Sequence, residues 1–460
     1  MRIMDSNGFG QKLEQLKKEG IEFVKYHVTD IQGNLREVTL TIGDIKGSGT
    51  TTTDGSSIFG KIIPPTESDM LLEPDHGTLV KIPWTKDCAR MLCNSYYTPS
   101  REGQEPASFE GCPRTILAKV EKSMNEVLGG RISRVFPGKD VEKLHAHFAP
   151  EIEFVLVDKN YDFLNIYRDP DIVNDNYFIP LSLDRDEVLK EMLHAFGDMG
   201  MKKEKYHTEV TTYQCEIGVG YANVLKMADA TSTLKYVIKE IAKKNNLRAS
   251  FIPKFKEGVN GSGMHCHQNL AVTFKGEKEI NLFFDESKKD GLSDIGRNYI
   301  AGLLKFAPEI TAFTNPTTIS YKRLVPGCEA PTYIAWDWLN RTALCRGHSI
   351  GTRKVRVEYR SPDPTCNPYL AFAAMLSAGL EGIAQNIQLP KPDNRDFYHD
   401  NEGVKELPGS LDEALELMNG SKMLRNRMGE FVIDTMYKLG KKVAKEDRQR
   451  VTSEDIRRNF

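Results

Sequence analysis

The sequence predicts an α+β protein in two units, residues 1–112 and 113–460, and three observations carry that prediction. Up to about Glu110 the chain reads as strands separated by Gly-, Thr- and Pro-rich turns. Beyond Cys112-Pro113, helical and strand periodicities mix. Three strands of that second part alternate polar and apolar residues, which places them in one sheet with a polar face over a cleft.

Taken in order, Glu22-Phe23-Val24-Lys25-Tyr26-His27-Val28 and Leu35-Arg36-Glu37-Val38-Thr39-Leu40 flank Gly33-Asn34, the signature of a hairpin. Pro113 suits the first turn of a helix, where its missing N–H costs nothing, and so marks the boundary. Residues 186–199 read as a helix stopped by Gly200, and residues 231–244 put Leu234, Val237, Ile238, Ile241 and Ala242 on one face. Asn367 caps a helix opened by Pro368, and Ser410-Leu411-Asp412-Glu413 is a capping box. The most apolar stretch, residues 369–387, is interrupted by Glu381 and Gln385 and fits a buried helix rather than a membrane span.

Composition narrows the function. At 460 residues the chain allows about three domains, or one large one with an appendage, at roughly 150 residues per domain. Its 40% hydrophobic and 27% charged residues suffice for a core and exclude disorder as the main state. A formal net charge of -2 gives no basic excess for nucleic acid. Eight cysteines without a C-x-x-C pair, and an amino terminus without a signal-peptide core, lead to the expectation of a soluble cytoplasmic protein.

The chemical signal lies in polar pairs two residues apart on otherwise apolar strands. In Glu151-Ile152-Glu153-Phe154 the carboxylates share a face, with α-carbons about 6.5–7 Å apart. In Met264-His265-Cys266-His267 the imidazoles do the same, just after Gly261-Ser262-Gly263, which permits close backbone approach. In residues 355–360, Arg356, Glu358 and Arg360 share one face and Val355, Val357 and Tyr359 the other. Several carboxylates with one or two imidazoles form a ligand set for Mg2+ or Mn2+, whereas zinc would favour more His or Cys. Glu209 and Glu216 add two carboxylates whose spacing leaves open whether they face one site. The arginines from Arg323 through Arg341, Arg346, Arg353 and Arg356 to Arg360 suit phosphate and carboxylate oxygens, and metals beside arginines fit phosphoryl transfer. Gly55-Ser56-Ser57-Ile58-Phe59-Gly60-Lys61 matches a P-loop pattern, but Ile62 comes next where Ser or Thr would hold Mg2+ and no clear strand leads in, so that reading is rejected.

Together these residues resemble the glutamine synthetase family, type I. The matching stretches are Thr29-Asp30-Ile31-Gln32-Gly33-Asn34-Leu35, Asp54-Gly55-Ser56-Ser57-Ile58, Glu67-Ser68-Asp69-Met70, Glu151-Ile152-Glu153-Phe154, Asn260-Gly261-Ser262-Gly263-Met264-His265-Cys266-His267, Tyr321-Lys322-Arg323-Leu324-Val325-Pro326-Gly327-Cys328-Glu329-Ala330-Pro331 and Glu358-Tyr359-Arg360-Ser361-Pro362-Asp363-Pro364, in family order. The resemblance implies an N-terminal β-grasp domain, a large catalytic domain with a curved antiparallel sheet flanked by helices, and a homododecamer of two hexameric rings with active sites between subunits. It implies ATP-dependent ligation of ammonia to L-glutamate through γ-glutamyl phosphate.

By the same resemblance, Glu153, Glu209 and Glu216 would hold one metal and Glu151, His265 and Glu358 another. Arg323, Arg360, Asn260 and Gly261, with His265, would bind glutamate; Arg341, Arg346 and Arg356 would face phosphates, with Tyr177 and Glu204 near the nucleotide. Asp54 and Ser57 would bind and deprotonate ammonium from the adjacent subunit, and Glu329 would sit on a flap that excludes water. Thr51-Thr52-Thr53, the 61–66 loop and Cys328 depart from the family pattern. Glu406 stands before Leu407-Pro408 where a modified tyrosine would be expected, which implies a non-adenylylated variety. Small nitrogen-regulatory proteins are implied as partners to test. Two alternatives compete: a γ-glutamyl-amine ligase with a polyamine-type acceptor, and a non-catalytic regulatory paralogue.

Overall fold

In the computed structural model, which describes residues 6–59, 62–99, 104–161 and 169–452, the chain opens with a helix that the sequence does not announce, α1 (Ser6–Lys18). The expected hairpin comes next: β1 (Phe23–Thr29) pairs antiparallel with β2 (Leu35–Thr41), Thr29 opposite Leu35. Asp30 shapes the turn by accepting the backbone N–H groups of Gln32 at 3.0 Å and Asn34 at 2.8 Å, and Gly33 adopts a φ of +88° that favours glycine. With β3 (Thr51–Asp54), β4 (Asp69–Lys81) and β5 (Cys88–Tyr97) these strands form one sheet in the order β2-β1-β5-β4-β3, in which only β1 and β5 are parallel. Phe9, Leu13 and Leu16 of α1 pack on Val24, Tyr26, Met70, Leu72 and Met91 to make its core.

A short strand, β3, does lead into the P-loop-like stretch, contrary to expectation. It runs into the four-residue helix α2 (Gly55–Ile58), and Gly60 and Lys61 lie outside the described residues.

From Pro113, at the first turn of α3 (Pro113–Lys122), the chain passes through α4 (Met124–Val135) into the long β6 (Val141–Asp158). Then come α5 (Leu183–Asp198), β7 (Lys203–Thr208), β8 (Gln214–Val219), β9 (Ala222–Asn223), α6 (Val224–Lys244), β10 (Leu247–Ser250), β11 (Met264–Phe274) and β12 (Ile280–Asn281). The helices α7 (Asp294–Lys305), α8 (Ala307–Thr314) and α9 (Ser320–Arg323) precede β13 (Trp336–Trp338), β14 (Cys345–His348) and β15 (Arg356–Tyr359). The sheet runs β13-β14-β15-β11-β6-β8-β7, with β9 and β10 also on β6 and β12 on β11; every pair is antiparallel except β13 with β14.

The chain ends in α10 (Pro368–Ala384), α11 (Leu411–Asn419), α12 (Lys422–Met428) and α13 (Glu430–Gln449). Helix α10 is buried on nearly every face and backs the sheet, Phe372 against Phe148 and Met375 against Gln268. No helix among the described residues is long and apolar enough to cross a membrane. Asn367 caps α10 by accepting from the N–H groups of Tyr369 and Leu370, and Ser410 caps α11 by accepting from Glu413 N–H.

The small sheet meets helices α3, α6 and α10 of the second unit through polar contacts. Asn367 Nδ2 donates to the carbonyls of Asp30 at 3.0 Å and Ile31 at 3.3 Å, docking the hairpin turn on the start of α10. Arg114 reaches Asp75 at 2.7 Å and Asp229 at 2.9 Å, and Arg90 donates to Thr233 at 2.9 Å.

Candidate active site

Five neighbouring strands place acids and imidazoles on one face because their side chains alternate while their registers align. Glu151 on β6 stands opposite His265 on β11, His267 opposite Glu358 on β15, and Glu153 opposite Glu216 on β8. On β7, His207 again faces Glu216. The intervening residues Ile152, Phe154, Cys215, Ile217, Met264, Cys266, Val357 and Tyr359 point into the core, so the polar face cannot turn over without burying charge in apolar packing.

This face gathers two donor sets. Glu151, His265 and Glu358 bring donor atoms within 4.8 Å of one another, and so do His207, Glu209 and Glu216. Glu153 lies between them, its Oε2 accepting from Gln214 Nε2 and from the Gly263 N–H, each at 2.8 Å. Lys205 Nζ bridges the sets, 3.3 Å from Glu151 and 3.4 Å from Glu216. Sequence reasoning does not single out Lys205, His207 or Gln214. Lys205, His207 and Glu209 have the two-residue spacing used for the other strands, but every position of β7 except Tyr206 is polar, which hides the alternation. His267 and His348 also converge on Glu358, with His348 Nε2 at 2.5 Å.

The two halves treat charge differently. Burial pushes the Glu209 carboxyl up to about 9, helped by the nearby anions Glu153 and Glu216. Glu153 is raised too, chiefly by burial. In the other half burial also opposes ionisation, but His265 and His267 outweigh it at Glu151, and Arg360 with His348 outweighs it at Glu358, so both are held below the ordinary carboxylate range. Carboxyls crowded until one refuses its charge, with an imidazole beside them, form an oxygen-rich set short of positive charge, and Mg2+ or Mn2+ fits it.

The donor sets open into a cavity of about 180 Å³. Asn260, Gly261, Arg323, Arg360, Arg341, Arg346, Tyr177 and Glu329 also line it. The glycines are sterically required here: a Cβ on Gly261 would sit 2.1 Å from the Pro253 carbonyl, and one on Gly263 2.6 Å from Arg323 Nη2. Arg323 is held by the Ser361 carbonyl at 2.7 Å and Arg360 by its ion pair with Glu358.

Four expected residues do not line the cavity. Arg356 instead donates to His267 Nδ1 at 3.3 Å and Ser349 at 3.1 Å. Glu204 is exposed where the β7–β8 register slips between Lys203 and Lys205. Asp54 and Ser57 sit on the small sheet, where Asp54 caps α2. The Ser56 and Ser57 hydroxyls, both at 2.6 Å, and the Ser57 N–H hold the Asp54 carboxyl at about 2.

Comparison with known proteins gives the family. The family described as "Glutamine synthetase, catalytic domain" matches residues 110–459, and "Glutamine synthetase, beta-Grasp domain" matches residues 20–98. The chain belongs to the glutamine synthetase family. Among relatives named glutamine synthetase, that of Methanocaldococcus jannaschii is 36% identical over 450 residues, covering 93% of each chain. That of Thermotoga maritima is 36% identical over 456 residues, covering 96% of this chain and 97% of its own, and that of Thermus thermophilus is 37% identical over 438 residues, covering 91% of each. A solved structure of apo GmaS without ligand has a TM-score of 0.82 at 26% identity and covers 97% of this chain and 98% of its own. A GmaS/ADP complex has the same TM-score at 25% identity. The protein is thus an enzyme of the glutamine synthetase family with a β-grasp domain ahead of its catalytic domain; the acidic cleft falls within the catalytic match, and Asp54 and Ser57 within the β-grasp match.

Proposed function

We propose that this enzyme joins ammonia to the side-chain carboxylate of L-glutamate at the expense of ATP, releasing L-glutamine, ADP and phosphate. The observation that carries the reading is a set of carboxyls short of positive charge sharing one cavity with four arginines. That set calls for divalent cations and anionic substrates together. The ADP complex of the similar GmaS supports a nucleotide site.

Glu153, Glu209 and Glu216, with His207, would hold one Mg2+ or Mn2+, and Glu151, His265 and Glu358 another. Bound there, the ions supply charge neutralisation at phosphate oxygens. Arg323 and Arg360, with Asn260 and Gly261, fix the carboxylates of glutamate, while Arg341 and Arg346 face the phosphates, and Arg356, expected to join them, would have to leave His267 and Ser349 to do so. Tyr177 and Glu204 lie toward the nucleotide. An oxygen of the γ-carboxylate attacks the γ-phosphorus, the bond to the bridging oxygen breaks, and ADP leaves. Asp54, beside Ser57, takes a proton from ammonium; ammonia then attacks the acyl carbon and phosphate departs. Glu329 shields the acyl phosphate from water and accepts a proton from the adduct.

The proposal extends to architecture. Domains meet at residues 112/113, twelve chains stack as two hexameric rings in the cytoplasm, and Asp54 and Ser57 serve the neighbouring subunit's cleft. The support is that both lie outside the cavity of their own chain. The absence of a tyrosine at Glu406 supports the non-adenylylated variety, and small nitrogen-regulatory proteins are the partners to test. Native mass spectrometry checks the assembly.

Activity is tested by measuring glutamine and phosphate formed from ATP, L-glutamate and ammonium with Mg2+. Turnover with polyamines and none with ammonium would replace this reading with γ-glutamyl-amine ligation. No turnover with any amine would leave the non-catalytic paralogue.

A further inference from the structure

The polar face of β6 continues beyond the acidic cleft. His147 and His145 share the face of Glu151 and Glu153, separated by the buried Ala146 and Phe148. Their rings lie nearly parallel, 11° apart with centroids at 5.5 Å. From Glu151 to His147 is about 13 Å along the strand, so the pair stands clear of the cleft's own donors.

Glu279 completes a cluster. After β11 the chain turns back through β12, with Ile280 opposite Val272 and Asn281 opposite Ala271, which swings the Glu279 carboxylate over both rings. One oxygen lies 2.9 Å from His147 Nε2 and the other 3.7 Å from His145 Nε2, and the three donor atoms all fall within 4.8 Å of one another.

We propose that His145, His147 and Glu279 form a separate binding site for a zinc-type divalent transition metal, which pins the 277–281 turn to β6. Two imidazoles and one carboxylate suit zinc and its borderline neighbours, with one position left for water, whereas the oxygen-rich cleft suits Mg2+. Tetrahedral bonds of about 2.1 Å separate donors by about 3.4 Å, and each ring has a Glu279 oxygen near that spacing, one at 2.9 Å from His147 and the other at 3.7 Å from His145. An ordinary histidine–carboxylate ion pair needs one imidazole and gives no reason for a second at this distance. In the metal-free protein the Glu279 carboxylate, which only accepts, holds the proton on His147 Nε2, and Nδ1 is buried without a protein partner; a metal bound at Nε2 takes the tautomer with its proton on Nδ1. The Thr273 hydroxyl, 2.9 Å from His145 Nε2, is the group the metal displaces.

The test is equilibrium dialysis of the full-length protein against Zn2+ in the presence of excess Mg2+ and ADP, with bound metal counted by mass spectrometry. Wild type is expected to hold one more zinc per chain than the His147→Ala/Glu279→Ala double variant. Equal zinc in the two proteins overturns the proposal. Because the double variant could misfold, His145→Asn provides a second measurement and should weaken this zinc by at least about a hundredfold. Unchanged zinc affinity in His145→Asn also overturns the site. Cu2+ bound to wild type should show coupling to two nitrogens in electron paramagnetic resonance, reduced to one in His145→Asn.

Discussion

The acidic cleft of the large sheet and the Asp54 corner of the small one both carry carboxylates proposed to meet cations, yet their surroundings treat negative charge in opposite ways. In the cleft, burial and like charge lift Glu209 to about 9. At the corner, two serine hydroxyls and a backbone N–H hold the exposed Asp54 at about 2. One carboxyl takes its charge when a cation arrives; the other is an anion at any physiological pH. The cleft proposed for divalent cations is assembled across several strands and stabilised by the packing behind it, whereas the corner proposed for ammonium is made by four consecutive residues.

Removing an anchor of the cleft should produce the largest effect. Glu358 is buried and pairs with Arg360, His348 and Arg346. Glu358→Ala leaves the Arg360 guanidinium buried without a counter-charge, and about 3–5 kcal/mol of stability should be lost in metal-free urea unfolding. Activity should fall by at least a factor of about 10³ through the loss of charge stabilisation at the phosphates. Near-wild-type turnover in this variant would break the assignment of the cleft as the phosphoryl-transfer site.

Asp54→Ala separates the corner from the cleft. The loss of one exposed cap on a four-residue helix should leave unfolding close to that of wild type, while ammonium-dependent turnover drops by about 10² or more. Phosphate release and glutamine formation should fall together. A variant with full activity would remove Asp54 from the proposed proton transfer without touching the cleft.

The pH dependence sharpens the contrast. Folded Glu209 titrates near 9 and its ordinary value is 4.5, so between those pH values the unfolded chain has lost a proton that the folded chain keeps. Stability from this group thus falls as pH rises through about 4.5 to 9. Glu151 and Glu358 are shifted down, and their contributions change only at more acidic pH. The midpoint of thermal unfolding for metal-free wild type should therefore lose ground to Glu209→Gln as pH rises across that window. Mg2+ should close the gap. Parallel curves for the two proteins would show that Glu209 ionises freely in the folded state. Asp54 has the opposite sign: its contribution is lost only as pH falls from 3.8 through about 2.

Where the contrast is legible in the sequence, a local period carries it. Glu151, Glu153, His265 and Glu358 emerge from side chains alternating along three strands, and Asn367 and Ser410 from cap chemistry that spans a few residues. The convergence of Glu209 with Glu216 depends on the register of β7 against β8, which no spacing within the segment dictates. Helix α1 is hidden in the sequence although Phe9, Leu13 and Leu16 have helical spacing, because Gly8 and Gly10 read as breakers. Arg356 shares its face of β15 with Glu358, but how far a long side chain reaches is settled by its neighbours, here His267 and Ser349, which hold it out of the cavity.

The smallest expected effect lies at the joint between the two regions. Asn367 is buried and does two jobs with one amide: Oδ1 caps α10, and Nδ2 donates to the Asp30 and Ile31 carbonyls of the small sheet's hairpin turn. Asn367→Ala loses both, at about 1–2 kcal/mol. Asn367→Asp keeps an oxygen for the cap but turns an acceptor toward two carbonyls, so any loss it shows belongs to the joint. Asn367→Asp should therefore unfold measurably more easily than wild type, through the joint alone. If it instead matches wild type, the turn rests on α10 without binding it, and the Arg114 ion pairs to Asp75 and Asp229 hold the two regions together.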